Sequence, residues 1–144
     1  QLMPDKKVVI LSNGVHLNHR EIYQAMNLLD ERMIKVDAGN EKVLKAVNQP
    51  LVRANLTKLT AGCRKLKDVI IQSLFVHGAV DNTQLSDVEE WLEIIGIINP
   101  KEVHLVTLDR IPSQPYLKKV DEDTLYTISS RLKRKLQIQG TVFT

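Results

Sequence analysis

Four short runs dominated by Val, Ile and Leu, at residues 7–11, 33–36, 68–75 and 102–108, alternate with longer stretches of helical character along the 144-residue chain. The runs lack a clean polar alternation, the pattern of strands buried on both faces of a parallel sheet. A first helix is expected over 20–29, where Ile22, Met26 and Leu29 recur at helical spacing behind a capping-box-like Asn18 and Glu21. Two more, near 41–47 and 54–67, are divided by Asn48, Gln49 and Pro50, and the second carries an apolar stripe of Leu56, Leu59, Cys63 and Leu66. Ser86 and Glu89 form an S-x-x-E box ahead of Val88, Trp91, Leu92 and Ile95, and Asn99-Pro100 stops that helix. A last helix over 122–137 follows a loop with Pro112 and Pro115. The alternation predicts an α/β domain over 1–144, built from about four right-handed βα units. Periodicity alone leaves open whether the sheet is flavodoxin-like or part of a (β/α) barrel, because both repeat the same unit.

Composition narrows the function classes. Hydrophobic residues make up 43% of the chain, enough for a core, while aromatic residues make up only 4%, too few for a base-stacking surface. A net charge of +3 implies a nucleic-acid partner only where the cations cluster. They do so at Arg53, Lys58, Arg64, Lys65 and Lys67, and again at Arg131, Lys133, Arg134 and Lys135. Both clusters read first as solvated faces, the first being also a candidate docking surface for RNA or an acidic partner. Cys63 is the single cysteine, so the chain holds no internal disulfide and no four-cysteine metal site, and a reducing, cytoplasmic setting is expected. The histidines, at 16, 19, 77 and 104, have no metal-ligand spacing, and no apolar run is long enough for a membrane span.

Polar residues gather where the strands end: Ser12-Asn13-Gly14, Asp37-Ala38-Gly39-Asn40, Gln72-Ser73 and Thr107-Leu108-Asp109-Arg110. In barrels and open α/β sheets alike, ligands bind at those ends. Turn and helix-capping duty accounts for such residues equally well. Lys35 and Asp37, two apart in a strand, share a face; they suit an anion and ribose hydroxyls respectively, or a structural ion pair. Gln72 breaks an apolar run and needs partners, from a ligand or from a neighbouring strand.

The phrases Val9-Ile10-Leu11-Ser12-Asn13-Gly14, Ile34-Lys35-Val36-Asp37-Ala38-Gly39-Asn40-Glu41, Ile71-Gln72-Ser73-Leu74-Phe75-Val76-His77-Gly78 and Thr107-Leu108-Asp109-Arg110-Ile111-Pro112 resemble successive strand ends of radical S-adenosylmethionine (radical SAM) Fe–S oxidoreductases, close to the wyosine-type tRNA-modifying enzymes. The resemblance spans nearly the whole chain and implies the C-terminal part of a partial TIM-type barrel, with these strands as its third to sixth. It implies that Asn13, Asp37, Gln72 or Ser73, Leu108 and Asp109 line a cofactor site, with Asp37 toward the ribose and Leu108-Asp109 beside adenine; Lys35, from its charge and its place in the strand, is the candidate contact for a substrate or another anion. The intact parent would hold S-adenosylmethionine and a [4Fe–4S] cluster and generate a 5′-deoxyadenosyl radical for hydrogen abstraction.

The chain departs from that pattern at the cluster. The family's Cys-x-x-x-Cys-x-x-Cys loop is absent, so the chain alone is expected to be inactive, to bind neither group tightly, and to need the N-terminal part of the barrel as partner. An exposed inner face and free strand edges predict self-association, with two half barrels pairing as one form of it. The alternative is a small flavodoxin-like ligand-binding or protein-interaction domain without catalysis.

Overall fold

The computed structural model describes residues 5–49, 55–109 and 116–144. Five parallel strands form one sheet: β1 (Val9–Ser12), β2 (Glu31–Lys35), β3 (Ile70–Leu74), β5 (Glu102–Val106) and β7 (Gln139–Phe143), in the order β1-β2-β3-β5-β7. A short antiparallel ribbon, β4 (Val76–Gly78) with β6 (Leu117–Lys119), stands apart from it. The helices are α1 (Arg20–Met26), α2 (Glu41–Asn48), α3 (Leu56–Cys63), α4 (Leu85–Ile98) and α5 (Glu122–Leu136). Four βα units are thus present, followed by a fifth strand, β7, that the sequence reading left out.

Strand order decides between the two architectures left open above. A flavodoxin-like sheet reverses direction near its middle and carries helices on both faces. Here the order never reverses, and one apolar layer joins the sheet to the helices: Ile34, Val36, Ile71, Phe75, Val103 and Leu105 meet Cys63, Trp91, Leu92, Ile95, Leu125 and Leu132. Winding in one direction with helices on one side is how a barrel is built, and the flavodoxin-like alternative falls.

The expectation of strands buried on both faces is overturned. Alternate residues Ile34, Ile71, Val103 and Leu105 are wholly buried, whereas Met33, Gln72, Leu74, His104 and Val106 between them are only half-buried. At the margins of this second face Val9, Leu11 and Phe143 are about half exposed. Among the described residues no helix packs on that side. Each large side chain on the covered face contributes on the order of 1.5–3 kcal/mol by leaving water.

Helix starts differ from expectation in their caps. Neither α1 nor α4 has a side-chain cap; α4 begins at Leu85, and Glu89, instead of closing a box with Ser86, pairs with Arg131 and Lys135 of α5. The caps that form are Asn40, Asn55 and Asp121, whose side-chain oxygens accept from the N–H groups of Val43, Lys58 and Thr124. Trp91 of α4 seals the helix layer to the sheet: its indole N–H donates to Ser73 Oγ at 3.0 Å, and its ring meets Phe75 edge-on with centroids 5.3 Å apart. Gly39 lets the β2–α2 loop lie directly on α4, because a Cβ there would stand 2.1 Å from the Glu90 carbonyl carbon.

Candidate functional site

The loops at the C-terminal ends of β1 and β2, together with α2 and α3, enclose a cleft of about 870 Å³. Asn13, Lys35 and Asn48 face it, with His16, Glu41 and Lys58 on its wall. Asn13 Oδ1 accepts from the Val15 N–H at 3.2 Å and so bends the β1–α1 loop, while Gly14, at φ +72°, makes room beside Leu59 and Ile34 that no Cβ would leave.

Asp37 sits beneath the cleft with no exposed side-chain surface. Its Oδ1 accepts from the Leu74 N–H at 2.7 Å, and its Oδ2 accepts from the Asn48 amide at 2.8 Å and lies 3.4 Å from Lys35 Nζ. Buried Asn82, which sequence reasoning passed over, completes this junction. Its amide donates to the carbonyls of Asp37 and Leu74 and its oxygen accepts from the Val76 N–H, so every hydrogen-bonding group of the side chain is used. The only signal in the sequence was an Asn eight residues past the end of β3, indistinguishable from a turn residue. Lys35, one-third exposed, keeps donors free toward the cleft.

The remaining expected residues divide between faces. Gln72 pairs in register with Lys35 on the open face, and among the described residues its amide meets only the Met33 thioether, at 3.6 Å. Ser73 points the other way and is fully buried, donating to the Val36 carbonyl at 2.6 Å. Leu108 packs with Val47, Val76 and Leu117 under the β4/β6 ribbon, and Asp109 follows β5 on the surface. Lys35, Gln72 and Asn13 are therefore brought together at the open mouth, with Asp37 behind Lys35, while Ser73 lies across the sheet.

Elsewhere the ribbon is tied to the body by His77, whose Nδ1 lies 3.3 Å from Asp81 and whose Nε2 lies 3.9 Å from Asp121. Partial burial raises the Asp81 carboxyl, but hydrogen bonds from Thr83, Gln84 and His77 together hold it below the usual range. Cys63 is buried in the helix layer, and burial pushes its thiol up to about 12. Of the first basic cluster, Lys58, Arg64, Lys65 and Lys67 are exposed, while Arg53 falls outside the described residues, as do Arg110, Ile111, Pro112 and Pro115. Among the described residues no helix is long and apolar enough to cross a membrane, and no group of three metal-ligating side chains gathers.

Comparison with solved structures places this geometry. A radical SAM methyltransferase from Sphaerobacter thermophilus superposes with a TM-score of 0.73 at 16% identity, over 94% of this chain and 39% of its own. The chain shares the fold of that part of the methyltransferase. A domain of pyruvate-formate lyase-activating enzyme from Bacteroides vulgatus matches at TM-score 0.67 and 10% identity, over 92% of this chain and 79% of that one. TYW1 with a lysine-pyruvate adduct bound matches at 0.67 and 10%, over 90% and 41%. In sequence, UPF0026 protein slr1464 of Synechocystis is 25% identical over 101 residues, 69% of this chain and 38% of that protein, so the chain spans well under half the curated relative's length. No family model matches. The expected radical SAM likeness is thus borne out in the architecture, and the neighbours are radical SAM enzymes.

Proposed function

We propose that residues 1–144 form the C-terminal part of the barrel of a longer radical SAM enzyme, and that the open face with its cleft is the wall against which S-adenosylmethionine and a substrate are held. The observation that carries this reading is the coincidence of a singly wound sheet, a face that among the described residues carries no helix and is crossed by a polar row, and a cleft at the strands' C-terminal ends. Asn13 and Gln72 supply amide hydrogen bonds to the cofactor, Lys35 supplies the positive charge for a carboxylate or other anion, and Leu108 and Asp109 flank the adenine. Asp37, with its carboxylate fully engaged, is a positioning residue that fixes Lys35, rather than a direct ribose acceptor. Ser73 supports the wall from behind through Trp91.

The donor set does not fit a [4Fe–4S] cluster. One thiol, buried and protonated far above neutral pH, cannot stand in for three thiolate ligands. The cluster therefore belongs to the remainder of the polypeptide, and the chain alone is inactive. In the complete enzyme S-adenosylmethionine, given an electron by the cluster, would supply the chemistry for hydrogen abstraction, and Asn13, Gln72 and Lys35 would hold cofactor and substrate in place. Anaerobic reconstitution of the full encoded polypeptide with iron and sulfide tests this: it should cleave S-adenosylmethionine under reduction, while residues 1–144 alone should not. A full polypeptide that lacks a three-cysteine loop, or one that leaves S-adenosylmethionine intact, would refute the proposal.

A further inference from the structure

Four polar side chains cross the open face in a single register row: Lys35 on β2, Gln72 on β3, His104 on β5 and Thr141 on β7. The row toward the strands' C-terminal ends is apolar, Leu74, Val106 and Phe143. With parallel strands about 4.8 Å apart, the backbones of Lys35 and His104 are separated by about 10 Å.

His104 is held in a definite orientation. Its Nε2 lies 3.2 Å from Glu102 Oε1, and the Thr141 hydroxyl donates to that same oxygen at 2.6 Å. The ring packs tilted on Phe143 with centroids 4.9 Å apart. In the neutral ring a carboxylate 3.2 Å from Nε2 favours the Nε2–H tautomer, which leaves the lone pair on Nδ1. Among the described residues nothing donates to Nδ1. At the other end Lys35 has three N–H donors and Asp37 as its anionic partner, and between them the Gln72 amide has only a thioether. The row therefore offers a cation with donors to spare, then a donor-acceptor amide, then a bare acceptor.

That order complements one class of ligand, a small acid with its carboxylate at Lys35 and an O–H or N–H at His104. We propose that the row binds the substrate as such an acid, and that His104, set by Glu102, is the residue that selects the proton-bearing group. This rests on the open face being the ligand side of the barrel.

Isotope-labelled chain is titrated by NMR with 4-hydroxybutyrate, with butyrate, which lacks the hydroxyl, and with 1,4-butanediol, which lacks the carboxylate. The expected result is an Nε2–H tautomer for His104, shifts at Lys35, Gln72 and His104, and binding of the hydroxy acid about five- to tenfold tighter than of either analogue, the range of one hydrogen bond. His104→Phe should lower the hydroxy acid to the level of butyrate, and Lys35→Met should weaken both acids while leaving the diol unchanged. Glu102→Gln, which preserves size, should lose the tautomer preference and most of the hydroxyl preference, and serves if His104→Phe fails to fold. An Nδ1–H tautomer, no binding, or a hydroxyl preference that survives His104→Phe would overturn the proposal. Shifts at Asn13 and Asn48 with none at Gln72 or His104 would overturn it too, while leaving the cleft reading in place.

Discussion

The two faces of the sheet are made by alternate residues of the same strands, yet they serve opposite ends. On the helix side Leu105, Ile71 and Ile34 are fully buried, and polar groups there, Ser73 and Thr107, spend their hydrogen bonds on backbone and on Trp91. On the open side, among the described residues, Lys35, Gln72 and His104 keep hydrogen-bonding capacity unspent. Burial is concentrated on one face and unspent hydrogen-bonding capacity on the other, and a two-residue period separates them.

The largest contrast expected is in thiol reactivity. Burial holds Cys63 protonated to about pH 12, so at pH 8 it should react with iodoacetamide at least about 100-fold slower than a cysteine placed on the open face by Thr141→Cys, and mass spectrometry would read both sites. Raising the pH to 9 should speed the introduced thiol far more than Cys63 in absolute rate, and fast Cys63 labelling would break the contrast. Neighbours on one strand give the next test. Leu105→Ala should cost about 2–5 kcal/mol and Val106→Ala about 1 kcal/mol or less in urea unfolding, and equal losses would mean that the faces are not different.

Asp37→Ala leaves the part-buried Leu74 N–H and the Asn48 amide without their acceptor, and should lower stability by about 2 kcal/mol. A loss no larger than that of an exposed carboxylate would remove its positioning role. Smallest of all should be Gln72→Leu, within about 1 kcal/mol of the parent chain by the same unfolding measurement, because its amide has little to lose.

Much of the covered face was legible in sequence. Val88, Trp91, Leu92 and Ile95 declared themselves by helical spacing, and all four are buried. Lys35, Gln72 and Asn13 stood out as polar residues in or beside apolar runs. What escaped notice was weaker in signal. Gln139–Phe143, with a glycine and two polar residues in five, does not read as a strand until β5 pairs with it, and Val76–Gly78 and Leu117–Lys119 are too short to show a period. Which of Gln72 and Ser73 faces the mouth was not legible, because an apolar run without alternation hides which residues point inward; the register then sends Ser73 to Trp91 and Gln72 to the mouth. His104 was passed over because Glu102, two residues away, reads as an ordinary polar strand residue, and Phe143 against the ring and Thr141 on Glu102 are brought there only by the sheet.

The central claim is that the rest of a longer polypeptide covers the open face and the outer edge of β1. Hydrogen exchange followed by mass spectrometry, on residues 1–144 alone and on the full encoded polypeptide, addresses it directly. The account predicts that peptides covering Val9–Ser12 and Gln139–Phe143 become markedly more protected in the full polypeptide, while those of α4 stay as they are. Equal exchange at β1 and β7 in both proteins would contradict it.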